Sequence, residues 1–152
     1  MNQFGHHITA AALGIAGAAI AVQSGLPVQG ALFFVGAFAG ASAPDWLELP
    51  FPGGRVIPHR TLTHVPWIWL VALLWVAVAL HGSWLWPVVL GFILASLLHL
   101  AMDSLSPMGI PLANPGGRRY SLHLYHTGGL SEAATIAGTV GAFALVAIGI
   151  TV

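Results

Sequence analysis

Five apolar stretches, parted by breaks that hold six of the eight charged residues, decide which solvent this chain can fold in. They run from about Ile8 to Val22, Val28 to Ala43, Val65 to Leu80, Trp84 to Ser104 and Glu132 to Val152. A helix of roughly 20 apolar residues crosses the hydrocarbon of a bilayer, so the pattern predicts an all-α integral membrane protein of about five transmembrane helices. Charged residues make up 5% of the chain, against about 25% in soluble domains, and lipid is again the implied solvent. At 152 residues the length allows a single domain, 1–152.

The flanks agree with this reading. Gly25 and Pro27 end the first stretch, and Pro44-Asp45 ends the second. Within the second, Gly36 and Gly40 keep the small-xxx-small spacing that lets helix backbones approach closely. Trp67, Trp69, Trp84 and Trp86 stand at segment ends, where an interfacial aromatic belt belongs. Thr63 is the expected N-cap of the third helix and Ser131 that of the fifth. Residues 45–64 and 105–130 are too rich in proline and glycine for helix and are expected to be polar loops. Met1 to His7 lacks the positive charge of a signal peptide, so the first stretch is expected to be retained as a span.

With five spans, the N-terminus and the loops after the second and fourth helices share one face. That face receives His6, His7, Asp45, Glu48, His59, His64, Asp103, His123, His126 and all four arginines, while the other receives only His81. The arginines make it the cytoplasmic face of an inner, or plasma, membrane. Lysine is absent and the arginines are balanced by four acids, so nothing here suits a nucleic-acid partner. Membrane lipid is the expected surrounding partner. Cysteine is also absent, which leaves imidazole and carboxylate as the strong metal ligands available among eight histidines and the acids.

His99 and Asp103 are four apart near the end of the fourth helix, so they lie one turn apart on one face and can ligate one ion together. Ionisable groups at that depth are costly, which makes a functional role the default. His59 and His64 flank the run leading into the third helix, and Asp45 closes the second with Glu48 a turn on. Such a mixture of oxygen and imidazole ligands suits zinc, manganese or iron. Singly, each of these residues is an ordinary polar loop residue, and His99 alone could serve an interhelical hydrogen bond. Eight histidines also invite a haem reading, against which the interspersed carboxylates argue.

These motifs together resemble the YdjM family of bacterial inner-membrane proteins, described as metal-dependent hydrolases. The resemblance rests on Gly5-His6, Pro44-Asp45, the HRxxTH run at 59 to 64 and the HxxxDxxxPxG run at 99 to 109, and it covers nearly the whole chain. Its ligand order is also similar to that of zinc-dependent phospholipase C enzymes. The resemblance implies metal ligands His6, Asp45, His59, His64, His99 and Asp103, with Asp45 and His64 taking part in catalysis. His6 matches the family pattern, although the sequence alone allows His7. It implies a divalent cation, zinc first and manganese or iron as alternatives, in one to three copies.

Two departures stand out. The family has Asp-x-Asp after the proline where this chain has Asp45-Trp46-Leu47, so the second acid is lost unless Glu48 replaces it. The phospholipase's HxxxE pair has no counterpart, because His126 and Glu132 are six apart.

The chemistry so implied is hydrolysis by water that a cation has acidified, with phosphate esters as the natural substrates. Arg60, Arg118 and Arg119 could clamp a phosphate at headgroup level, pointing to a phospholipid or lipid-linked phosphate. Arg118 and Arg119 could equally be topology determinants. His123 and His126 could add a ligand or a general acid, or be interfacial polar residues beside Tyr120 and Tyr125. The rival reading is a metal-binding, structural or partner protein of the membrane without catalysis.

Overall fold

The computed structural model describes residues 1–151; Val152, the expected last residue of the fifth span, lies outside the described residues, and so do the side chains of Ile150 and Thr151. Helix α1 spans Gln3–Gln23, α2 Pro27–Gly40, α3 Ala43–Trp46, α4 Pro66–Ala79, α5 Trp86–Leu105 and α6 Leu130–Thr151. A two-stranded hairpin, β1 Pro50–Phe51 with β2 Gly54–Arg55, and a 3-10 turn, Leu62–His64, lie between α3 and α4. A second antiparallel pair, β3 Ile110–Pro111 with β4 Arg119–Tyr120, follows α5.

The protein is thus an all-α membrane protein, in which the short strands belong to the connections. Among the described residues, three helices are long and apolar enough to cross a membrane: Gln3–Gln23, Trp86–Leu105 and Leu130–Gly149. Helices α2 and α4 are apolar but have 14 residues each. At 1.5 Å per residue that is about 21 Å, short of a hydrocarbon core of about 30 Å, so the expected count of five spans hangs on these two.

Several boundaries differ from the sequence reading, each for a local reason. Helix α1 begins at Gln3 rather than near Ile8, because the Asn2 side chain caps it by accepting from Gly5 N at 2.7 Å. The stretch 45–64, expected to be a plain loop, folds into α3, the hairpin and the 3-10 turn. Thr63 does not cap α4, whose cap residue Val65 makes no side-chain hydrogen bond. The Thr63 hydroxyl is instead engaged with Glu48 and His64. Ser131 lies inside α6 and accepts from the backbone N–H of His126.

Packing runs α6 on α1, α1 on α2, α2 on α5 and α5 on α4. The α2–α5 contact is the closest: a Cβ added at Gly36 would strike the carbonyl oxygen of Val88, one at Gly40 that of Phe92, and one at Gly91 that of Phe33. Small residues matter here because apolar burial drives little association between helices already in lipid, whereas close backbone approach does. Ser96 reinforces the approach by donating to the carbonyl oxygens of Phe92 and Gly40. Outward faces are apolar, with Val71, Leu74 and Val78 on α4 and Leu145 and Ile148 on α6 exposed. Lipid is the solvent those faces require.

Candidate metal centre

Four helical elements and the connections between them meet at one end of the bundle. The first turns of α1 deliver His6, the last turns of α5 deliver His99 and Asp103, α3 delivers Asp45, and the 3-10 turn delivers His64. His59 comes from the loop between the hairpin and that turn, and Glu48 from the residues just after α3. His6, Glu48, His64, His99 and Asp103 are each no more than 2% exposed. Helical geometry sorts the two N-terminal histidines: His6 points inward, while His7 is half-buried on the outer side and sets its ring edge-on to Phe38.

Asp103 is the hub. Its Oδ1 lies 2.8 Å from the Met1 amine, 2.6 Å from Arg60 Nη2 and 3.3 Å from His6 Nε2. Its Oδ2 faces His99 Nε2 at 3.4 Å and His64 Nε2 at 3.5 Å. Asp45 closes the other side, with Oδ1 at 3.5 Å from His64 Nε2 and Oδ2 at 3.8 Å from His99 Nε2. The His6 and His99 rings stack with centroids 3.7 Å apart.

Backbone and outer acids fix which ring nitrogens face inward. His99 Nδ1 is 2.8 Å from the Ala41 carbonyl oxygen, an acceptor only, so Nδ1 carries the proton and Nε2 presents its lone pair to the centre. That carbonyl is available because α2 ends against α5. His64 Nδ1 sits 3.3 Å from Glu48 Oε1 and 3.1 Å from the Thr63 hydroxyl, which likewise turns Nε2 inward. Among the described residues, the buried side-chain atoms without a hydrogen-bond partner include both His6 ring nitrogens, Asp45 Oδ1, His64 Nε2 and His99 Nε2. Unpaired buried lone pairs are costly, and these converge on one volume, the condition a cation would satisfy.

Three overlapping sets have ligand atoms all within 4.8 Å of one another: His6, His99 and Asp103; Asp45, His64 and His99; and Asp45, Glu48 and His59. Each mixes imidazole nitrogen with carboxylate oxygen, the donor set of zinc, manganese or iron. In the third set His59 Nδ1 is 2.9 Å from Glu48 Oε2, a hydrogen bond that must give up its proton before the nitrogen can bind an ion.

Electrostatics favour ionised carboxylates. Burial works to raise the Asp45 carboxyl, but the imidazoles of His64 and His99 beside it hold it at about 2. Burial pushes His64 down, and the facing Asp103 and Asp45 carboxylates outweigh it and raise the imidazole above its ordinary value.

The sequence-predicted phosphate ligands fall in different places. Arg60 is buried and committed: Nη2 pairs with Asp103, while Nη1 donates to the Ser106 hydroxyl at 2.9 Å and the Gly109 carbonyl oxygen at 3.2 Å. Its φ of +55° turns its own N–H onto Glu48 Oε1 at 2.8 Å. Arg119 is exposed and donates to the His59 carbonyl oxygen at 2.9 Å, and exposed Arg118 lies over the Tyr120 ring. His123 and His126 are exposed in the loop before α6.

Thr63 and the Ala41 carbonyl are supports that the motifs did not assign, and a carbonyl has no sequence signal. Glu48, readable as the acid that could replace the family's missing one, is fully buried. Glu48 also pairs with Arg55.

Comparison with curated proteins and with solved structures gives no match. A family model described as YdjM inner membrane protein matches residues 1–151. With nearly the whole chain matched, this protein belongs to the YdjM inner membrane protein family.

Proposed function

We propose that this protein is a membrane-embedded, metal-dependent hydrolase acting on a phosphate ester of a phospholipid or lipid-linked substrate at the cytoplasmic face. The observation that carries the reading is the convergence of unpartnered Nε2 atoms of His6, His64 and His99 with Asp45 Oδ1 in one buried volume. His6, His99 and Asp103 would hold one cation, and Asp45 with His64, or with Glu48 and His59, would hold another. A divalent cation bound there acidifies water and stabilises negative charge on a phosphoryl oxygen.

The chain's own residues set the rest. The centre is closed on the side of His6, His99 and Asp103, whereas Asp45 and His59 side chains are 16% and 38% exposed. Substrate therefore approaches over Asp45 and His59. Arg119, bonded to the His59 carbonyl, stands on that approach as a phosphate ligand with Arg118 next to it in the chain, while Arg60 serves Asp103 instead. All four arginines lie in the connections at this end, which supports a cytoplasmic orientation.

Turnover of p-nitrophenyl phosphate and of phosphatidate in mixed micelles tests the proposal on protein purified in mild detergent and reloaded with zinc or manganese. Metal-dependent phosphate release that disappears in Asp45→Asn supports it. Metal-loaded protein inert on both substrates favours a second reading, a closed, non-catalytic metal site, which the near-complete burial of His6, His64, His99 and Asp103 recommends.

A further inference from the structure

Glu132 is the only one of the four acids that the proposed chemistry leaves unused. It lies in the first turn of α6 and is 2% exposed. Burying a carboxylate requires donors, and this one has them: Oε1 accepts from the Asn2 backbone N–H at 2.7 Å, and Oε2 from Gly128 N at 2.7 Å and Asn2 Nδ2 at 3.2 Å. Two of the three donors belong to a single residue in another helix's cap.

That residue sets the start of α1. Asn2 Oδ1 accepts from Gly5 N, and the Asn2 carbonyl oxygen accepts from His6 N at 3.2 Å. Glu132 therefore grips the turn on which His6 rides. No hydrogen bond fixes the His6 ring: Nε2 faces Asp103 Oδ1 at 3.3 Å and the ring stacks on His99. Where the ring meets those two partners is set by the backbone turn that carries it. Helix α6 packs along α1, with Ile136 against Gly5 and the Met1 cluster, and the polar clasp adds to that contact at the end nearest His6.

We infer that Glu132 is a positioning residue of the metal centre: by clamping Asn2 it fixes the turn of α1 that aims His6 at His99 and Asp103. The inference rests on the metal reading above. It adds a role for the C-terminal helix that neither the ligand motifs nor the spacing of His126 and Glu132 would suggest.

Zinc affinity measured on the full chain in detergent, for wild type, Glu132→Gln, Glu132→Ala, His6→Ala and the double variants with His6→Ala, tests it. Glu132→Ala is expected to weaken zinc binding on the order of 10–100-fold, the usual effect of removing a support behind a ligand, and Glu132→Gln less, because the amide oxygen can still accept from Asn2 N. In the His6→Ala background neither change should weaken zinc further. A merely structural Glu132 would lower affinity equally in both backgrounds, and that additivity would overturn the inference. If Glu132→Ala fails to accumulate, the Glu132→Gln pair carries the same comparison. Wild type that takes up no zinc would overturn the metal reading itself, whereas wild-type uptake unchanged by either Glu132 variant would overturn this inference alone.

Discussion

The two ends of the bundle are built from the same apolar helices and could hardly be packed more differently. At the end that carries His6, His99 and Asp103, charged and polar side chains are sealed from solvent and bonded across four segments. At the opposite end an apolar cleft of about 490 Å³ opens between helices, lined by Leu26, Phe33, Trp86, Leu90, Phe143 and Val146 among others. Lipid explains the contrast. Apolar side chains gain little by leaving hydrocarbon for protein, so the far end has no strong reason to close, whereas buried carboxylates and imidazoles must find each other.

The largest predicted effect breaks the polar end at its hub. Asp103→Ala leaves Arg60 buried without its partner, which costs about 3–5 kcal/mol for a buried pair, and removes the acid shared by His6, His64 and His99. Thermal unfolding in detergent should show a much lower midpoint, with no metal retained.

Gly40→Leu comes next. Its side chain would meet the Phe92 carbonyl, so α2 and α5 must part, at a cost of about 1–3 kcal/mol or more. Because the same contact presents the Ala41 carbonyl to His99, metal affinity should fall along with stability, although no ligand has changed.

A pH titration sharpens the comparison without mutation. His64 holds its proton above the ordinary 6.5 in the metal-free protein, and a cation must displace that proton to bind Nε2. Metal affinity should therefore decline as pH falls, beginning above 6.5, with proton release on binding visible by calorimetry in buffers of different ionisation enthalpy. The smallest effect belongs to the far end: Phe143→Ala, which only widens an existing cleft, should change stability by about 1 kcal/mol or less and leave metal affinity untouched.

What the sequence made legible follows the same division. The apolar runs and the HxxxD spacing pointed to the helices and to the shared face of His99 and Asp103, because those depend on local periodicity. The Gly36 and Gly40 spacing was readable as close packing, but its partner, α5 at Val88 and Phe92, was not, since a spacing does not name the helix it meets. The start of α1 was missed because a lone asparagine cap competes poorly with a polar N-terminal run. Arg60 read as a free phosphate ligand, yet its positive φ and its pairing with Asp103 depend on residues 43 positions away. Glu132 and Asn2, 130 positions apart, carry no local signal of their contact at all.

The most direct test of the central claim is elemental analysis by mass spectrometry of protein purified in mild detergent without chelator, wild type beside His99→Ala. The account predicts at least one zinc, manganese or iron ion per wild-type chain and its loss in the variant. Wild type with no stoichiometric metal, even after reloading, would contradict it and leave the buried histidines and acids as a structural polar network of the membrane domain.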